Sequence, residues 1–292
     1  MKRIFLFLAT NLAILLVLGV FLNVFSGVLG ISQGTTSSLL FFAIIFGMGG
    51  AFISLAISKP VAKWSTGARV IKNPQNEKER WLLDTVAKQA RQVGIGMPEV
   101  AIYDATEINA FATGMNRNNA MVAVSTGLLR KISHSKVEAV LAHEVSHVAN
   151  GDMVTLALIQ GVLNTFVIVI ARLLGGLLDN LISNRDEENE GGGLVYHMIV
   201  FVLEIVFGVL ASVIVMWFSR QREFRADQGG ARLAGRQKMI AALEDLRDSH
   251  SESFLPQEVA ALGISGREGW SRLFMTHPPL EERIASLKSQ KR

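Results

Sequence analysis

Cysteine is absent from this 292-residue sequence, and charged residues are scarce. Without cysteine, the chain has no disulfide framework, no thiol nucleophile and no thiolate metal ligand. Any metal ion must therefore be held by nitrogen and oxygen atoms of other side chains. Charged residues make up 18% of the chain, below the roughly 25% that is usual in soluble domains.

Hydrophobic residues make up 50% of the chain and fall in long uninterrupted runs. This combination predicts an integral membrane protein with a polar domain attached. The formal net charge is +4, but the basic residues flank the apolar runs and form no stripe of their own. We therefore expect a lipid bilayer as a partner and no nucleic acid.

Four apolar runs are candidate membrane spans, at residues 4–24, 39–58, 153–171 (extending weakly to 178) and 194–218. For the first run, the alternative is a cleaved signal peptide, although the run exceeds the usual ~7–15 apolar residues. For the last two, the alternative is a buried helical hairpin, because Gly175, Gly176, His197 and Glu204 weaken them as spans.

Basic residues follow the second and fourth runs, and an acidic connector at 179–193 joins the third and fourth. By the positive-inside tendency, the polar parts of the chain should lie in the cytoplasm. The predicted organisation is two N-terminal transmembrane helices at 1–58, a cytoplasmic α+β part at 59–152, a helical membrane hairpin at 153–218 and a cytoplasmic helical part at 219–292.

The part at 59–152 shows mixed helical and strand periodicity. Asn76 and Glu79 form a capping pair ahead of a helix that Gly94 can end. Short strands are predicted at 100–103, 108–112 and 120–125, the last two joined by a polar turn at 116–119. Ser135 and Glu138 then form a capping-box pattern ahead of a helix running through Ala149.

That last helix contains His143-Glu144-Val145-Ser146-His147, the H-E-x-x-H pattern. On a helix, positions four apart share one face, so both imidazoles can bind one zinc ion. Glu144, beside them, can take a proton from a water activated by that zinc. The alternative is a chance pentapeptide whose histidines are packing residues.

A third ligand can be sought by position. A metzincin continuation is excluded, because Asn150 and Met153 occupy the places of its glycine and histidine, and the third apolar run contains no carboxylate. After the third run, the first acidic residue that lies on the same side of the membrane as His143 and His147 is Glu223. Asp227, four residues later, lies on the same helical face and can orient a ligating histidine. The alternative is a juxtamembrane basic patch with incidental acids.

These motifs resemble the HtpX family of bacterial heat-shock membrane zinc proteases, which are related to the eukaryotic CAAX-type proteases. The resemblance also rests on residues 109–114 (Asn-Ala-Phe-Ala-Thr-Gly), 222–227 (Arg-Glu-Phe-Arg-Ala-Asp) and 276–284 (Thr-His-Pro-Pro-Leu-Glu-Glu-Arg-Ile). It implies a zincin-like metalloprotease domain on the cytoplasmic side of the inner membrane, with one zinc ion bound by His143, His147 and Glu223. It further implies that membrane proteins and unfolded polypeptides are substrates, in quality control under stress.

Two further assignments are less direct. The resemblance implies that a strand with Asn109, Ala110, Phe111 and Ala112 pairs with extended substrate, whereas an ordinary sheet strand is the commoner explanation of such a sequence. His277 can stabilise an oxyanion, or can be an exposed residue before a helix that starts at Pro278 and Pro279. The alternative functions are a non-proteolytic zinc-binding scaffold or transporter and a prenyl-peptide processing protease.

Overall fold

The computed structural model describes residues 33–182, 194–251, 275 and 277–289. The first predicted span, at 4–24, lies outside the described residues, as does most of the connector at 179–193. The described elements are, in chain order, α1 (Gln33–Thr66), β1 (Arg69–Val70), α2 (Glu77–Val93), β2 (Glu99–Tyr103), β3 (Ala110–Asn116), β4 (Asn119–Ser125), α3 (Thr126–Lys131), α4 (His134–Asn150), α5 (Asp152–Ile182), α6 (Leu194–Ala234), α7 (Arg236–Ser251) and α8 (Leu280–Ser289).

Contacts divide the described chain into two compact units. The first, called the membrane unit below, contains the described residues up to Ile53 together with those from Ala157 to Ile214. The second, called the catalytic unit, contains Ser54–Leu156 and the described residues from Val215 onward.

Three of the described helices are long and apolar enough to cross a membrane, over Ser38–Thr66, Asp152–Asp179 and Leu194–Ala234. In their most apolar windows only 11%, 17% and 6% of the residues are buried. A hairpin buried inside protein would hide its apolar side chains, so this exposure favours contact with lipid.

Small residues let the helices of the membrane unit approach one another. A Cβ atom added to Gly47 of α1 would lie 2.6 Å from the backbone nitrogen of Thr165 on α5, and one added to Gly175 of α5 would lie 3.7 Å from Cα of Val200 on α6. Close approach at small residues is the usual way in which helices pack where hydrophobic burial gives no driving force.

The catalytic unit is built on a four-stranded sheet with the order β1-β2-β4-β3. The pair β2–β4 is parallel, and the pairs β1–β2 and β3–β4 are antiparallel. On one face Val100 and Val122 pack in a core with α2 and α4. On the other, Ala101 and Met121 pack against Ala62 near the end of α1. The strand β3 lies at an edge, and no described strand pairs with its outer side.

Local signals explain most of the element boundaries. The side chain of Asn76 accepts a hydrogen bond from Glu79 N at the start of α2, and Gly94 ends that helix with φ 66°, as predicted. The predicted capping box at Ser135 is wrong, because α4 begins earlier, with Ser133 as its N-cap. Ser133 makes no side-chain capping bond, and its Oγ lies 3.3 Å from Ser135 Oγ instead.

The helices α7 and α8 complete the catalytic unit by packing on α4. They form a second core, in which Ala139 and Ala142 of α4 meet Met239 and Leu243 of α7 and Leu287 of α8. Lys136 and Glu138 of α4 add ion pairs with α7, at 2.6 Å each. The chain is therefore a helical membrane protein that carries an α+β domain, as predicted.

Candidate active site

The helix α4 presents the H-E-x-x-H side chains on one side. Because an α-helix turns about 100° per residue, His143 and His147 project together, and their ring centroids lie 4.7 Å apart. His143, Glu144 and His147 expose only 7%, 8% and 9% of their surface. Histidine side chains buried to this degree need specific partners, which other helices supply for His143 and His147.

Glu223 of α6 supplies a third converging group. Its Oε1 lies 3.3 Å from His147 Nε2 and its Oε2 3.4 Å from His143 Nε2, while the two Nε2 atoms are 3.1 Å apart. Zinc holds nitrogen and oxygen ligands tetrahedrally at ~2.0–2.1 Å, which separates neighbouring ligand atoms by about 3.3 Å. The three side chains therefore fit a zinc ion.

Glycine residues bring α6 close enough to α4 for this cluster to form. A Cβ atom on Gly229 would lie 2.7 Å from Ser146 Cβ, and one on Gly230 would lie 3.2 Å from His143 N. Ala226 of α6 and Ala142 of α4 are fully or almost fully buried. Residues this small keep α4 and α6 close enough for the Glu223 side chain to reach both imidazoles.

Asp227 lies one turn after Glu223, and its carboxylate approaches the first histidine. Its Oδ1 is 3.0 Å from His143 Nδ1, which leaves Nε2 directed at the centre. Arg283 of α8 donates two hydrogen bonds to Asp227, from Nε at 2.8 Å and from an Nη at 2.6 Å. The other Nη of Arg283 is 3.4 Å from Glu223 Oε2. One buried arginine thus connects the carboxylates of Asp227 and Glu223.

The second histidine has a partner that sequence reasoning did not assign. His147 Nδ1 lies 2.7 Å from Oδ2 of Asp152, the buried first residue of α5. Burial lowers the pKa of His147, but the contacts with Asp152 and Glu223 outweigh burial and raise that pKa to about 10. Burial likewise lowers the pKa of His143, and its contacts with Asp227 and Glu223 raise it overall. A metal ion that binds both rings must therefore displace protons.

A cleft of about 1000 Å³ opens beside these groups. Its lining includes Glu144, Glu223 and His277, together with Asn109 and Ala110 at the beginning of the edge strand. The side chain of His277 is 63% exposed, and its Nδ1 lies 2.9 Å from Glu223 Oε2. His277 is therefore exposed just before α8 and lies beside the centre.

Ser125 fixes the chain that leads into the edge strand. Its Oγ donates a hydrogen bond to Glu107 O at 2.6 Å and accepts bonds from Asn109 N and Leu128 N. Its backbone N–H donates to Asn109 O at 2.9 Å. One buried serine therefore holds the start of α3 and the cleft end of β3 together.

Two buried residues beside the centre, Asp152 and Arg283, had no predicted role. A signal for Asp152 is present in the sequence, since it is an acid that follows the second histidine closely and begins an apolar helix. Arg283 belongs to the stretch at 276–284, but nothing in its spacing indicates which carboxylates it meets. Its contacts depend on how α8 packs.

Known proteins resemble this chain over most of its length. The model of peptidase family M48 matches residues 76–291. A protein named Protease HtpX from Xanthomonas oryzae pv. oryzae (strain MAFF 311018) is 61% identical over 291 residues, covering 99% of this chain and 97% of the relative. Another Protease HtpX, from Stenotrophomonas maltophilia (strain K279a), is 60% identical over 289 residues, covering 99% and 98%.

A solved structure has the same fold. The crystal structure of S. mikatae Ste24p matches with a TM-score of 0.63 at 17% identity. The match covers 85% of this chain, which spans 58% of the length of that protein. At this identity the likeness concerns the fold alone, and it agrees with a zincin-like arrangement built next to membrane helices. Together with the sequence matches, it leads to one conclusion: the chain belongs to peptidase family M48, among the HtpX proteases, and is a membrane metalloprotease.

Proposed function

We propose that this chain is a zinc-dependent endopeptidase of the bacterial inner membrane that cleaves misfolded or damaged membrane proteins on the cytoplasmic side. The observation that carries the proposal is the convergence of His143, His147 and Glu223 with Glu144 buried beside them. Their atoms have the separations that a tetrahedral zinc site requires.

Each residue of the cluster has a proposed role. Zinc held by His143, His147 and Glu223 would supply a Lewis acid that polarises a peptide carbonyl and makes a water acidic enough to react near neutral pH. Glu144 accepts a proton from the attacking water and passes it to the leaving amine. Asp227 and Asp152 keep the Nε2 atoms of the two rings directed at the centre.

Substrate binding is proposed at the cleft. The edge strand β3, from Ala110 onward, offers unpaired backbone groups to an extended peptide, and Asn109 and Ala110 line the same cleft as Glu144. His277, beside Glu223, stabilises negative charge that develops on the carbonyl oxygen. Because a folded segment cannot lie extended along β3, the substrates are disordered or damaged segments.

The cytoplasmic location rests on charge. Basic residues follow the apolar part of α1, at Lys59 and Lys63, and of α6, at Arg220, Arg222 and Arg225. The HtpX name of the bacterial relatives supports a role in stress and quality control. Substrates held in the same membrane would be concentrated near the protease.

The experiment compares the wild type with Glu144→Gln, both loaded with zinc in detergent, on an unfolded protein. We expect Glu144→Gln to keep zinc and folding but to lose hydrolysis by at least about 100-fold, the size usual for loss of a general base. Turnover near that of the wild type would show that Glu144 is not the base. A prenylated peptide is tested in parallel. A protease specialised for prenyl peptides would cleave this peptide but not the unfolded protein, whereas a general endopeptidase would cleave the unfolded protein.

A further inference from the structure

Arg172 is a charged residue in the membrane unit that has no charged partner among the described residues. It lies on α5, and its guanidinium carbon is 4.3 Å from the centroid of the Phe42 ring on α1. Among the described residues, no ion pair or hydrogen bond of Arg172 is found, and its Nε is buried without an acceptor. A guanidinium carries five N–H donors, and leaving these unsatisfied in an apolar setting is costly.

The contact with Phe42 leaves the N–H donors of the guanidinium without an acceptor among the described residues. Its carbon lies over the Phe42 ring, which satisfies the charge in part through the ring quadrupole. The N–H groups point outward from the edge of the plane, where an aromatic ring cannot accept them. An acceptor with two oxygens in that plane, such as a carboxylate or a phosphate, can accept hydrogen bonds from two N–H groups at once.

The position of Arg172 along α5 favours phosphate. At a helical rise of ~1.5 Å per residue, Arg172 lies about 30 Å along α5 from its first residue, Asp152. This length equals the hydrocarbon thickness of a typical bilayer, ~30 Å. Arg172 is therefore expected close to the headgroups of the leaflet opposite to the one where the helix begins. Every phospholipid carries its phosphate at that level.

We propose that Arg172 and Phe42 form a binding site for the phosphate of a membrane phospholipid. The guanidinium donates to the phosphate oxygens, while Phe42 holds the side chain in place. The site belongs to the membrane unit and involves none of the residues of the catalytic cluster. Such a lipid would contact Arg172 on α5 beside α1 and stabilise the packing of the two helices.

The test titrates the full zinc-loaded chain in detergent with phosphatidylglycerol and counts bound lipid by native mass spectrometry. We expect Arg172→Gln to bind the lipid about tenfold more weakly, the loss usual for a charge-assisted hydrogen-bonded pair. Diacylglycerol, which lacks the phosphate, should not bind at this site in either protein. Arg172→Lys keeps the charge but loses the planar fork, so it should bind with intermediate affinity, and it replaces Arg172→Gln if that variant does not fold.

Glu204→Gln is the matched control, because Glu204 is an ionisable residue of the apolar part of α6. We expect it to bind lipid as the wild type does. Equal lipid affinity of wild type and Arg172→Gln would overturn the proposal. So would an equal loss in Glu204→Gln, which would show that the loss is not specific to Arg172, or displacement of the lipid by millimolar inorganic phosphate, which would make the site one for free anions.

Discussion

At the scale of single residues, the centre depends on short side chains held at fixed separations. Glu223 reaches both imidazoles, at 3.3 and 3.4 Å, and Asp227, Asp152 and Arg283 hold the groups around it. Each of the two rings therefore meets a carboxylate at Nδ1 and presents Nε2 to the centre. The helices fix the distances, and in the proposed site the outer carboxylates would fix the orientation of the rings.

Glu223→Ala should abolish stoichiometric zinc binding, because two imidazoles alone form a weak site and the arginines nearby cannot act as ligands. Loss of an outer partner alone typically lowers metal affinity about 10–100-fold, so loss of a direct ligand should exceed that range. Metal analysis after dialysis measures the effect, with Glu204→Ala as the control that retains zinc. One zinc per chain in Glu223→Ala would point to another ligand.

Gly229→Ala should weaken zinc binding without changing any polar group. The new methyl would lie 2.7 Å from Ser146 Cβ, so α6 must move away from α4, at a cost of about 1–3 kcal/mol for overpacking. Gly208→Ala on the same helix, where an added Cβ meets nothing within 4 Å, is the matched control. Thermal unfolding and chelator competition measure the two effects.

The double variant Gly229→Ala with Ser146→Gly moves the methyl from one helix to the other. It should recover most of the zinc affinity, although glycine inside α4 costs about 1 kcal/mol of stability. If zinc affinity of Gly229→Ala equals that of Gly208→Ala, close contact of α4 and α6 does not position Glu223.

The sequence predicts this part of the molecule well wherever spacing along one element is enough. His143 and His147 follow from helical periodicity, and Glu223 follows from counting apolar runs. Arg283 and Asp152 were missed because their partners lie on other helices, and no pattern within α8 or α5 states which surface each will meet. The contact between Gly229 and Ser146 likewise joins two different helices, so no pattern within one helix predicts it.

At the scale of elements, the strands β2, β3 and β4 were predicted with small shifts in their ends, because alternation and turn residues mark them. The turn lies at 116–119, as predicted, since Asn116 pairs with Asn119, but β3 extends to Asn116 instead of ending at 112. The strand β1 and the helix α3 were not predicted. They are two and six residues long, too short for a hydrophobic period to be visible.

The geometry of β3 predicts which of its backbone groups meet substrate. Ser125 N donates to Asn109 O, and the register pairs Ala110 with Val124. Hydrogen-bonded pairs alternate along an antiparallel ladder, so Phe111 bonds to β4, whereas Ala110 and Ala112 direct their N–H and C=O groups to the open edge.

Ala112→Pro should therefore raise KM for unfolded substrates while leaving thermal stability near that of the wild type. Proline at this position removes an N–H that faces outward, as edge strands tolerate. Phe111→Pro is the matched comparison, because it removes a ladder hydrogen bond and should destabilise the fold. Unchanged cleavage by Ala112→Pro would show that substrate does not add to this edge.

At the scale of the whole molecule, the absence of cysteine allows a direct test of orientation. Cysteine placed at Lys72 or at Lys291 should be shielded from an impermeant thiol reagent in intact cells, because the basic ends of the spans predict a cytoplasmic location. Both positions should react once the membrane is permeabilised. A cysteine within the acidic connector, at Glu188, should react without permeabilisation. Labelling of either lysine position in intact cells would show that the predicted cytoplasmic location is wrong.

The converging side chains come from two helices, α4 and α6, that are separated along the chain by the whole apolar hairpin of α5 and the first part of α6. This order matters during biosynthesis. At ~5–20 residues per second, a ribosome needs several seconds to proceed from His147 to Glu223, and longer to reach Arg283. Throughout that interval the nascent chain carries two imidazoles without their carboxylate. If Glu223 completes the zinc site as proposed, the nascent chain should be inactive until the hairpin has been synthesised and Glu223 has met the two imidazoles.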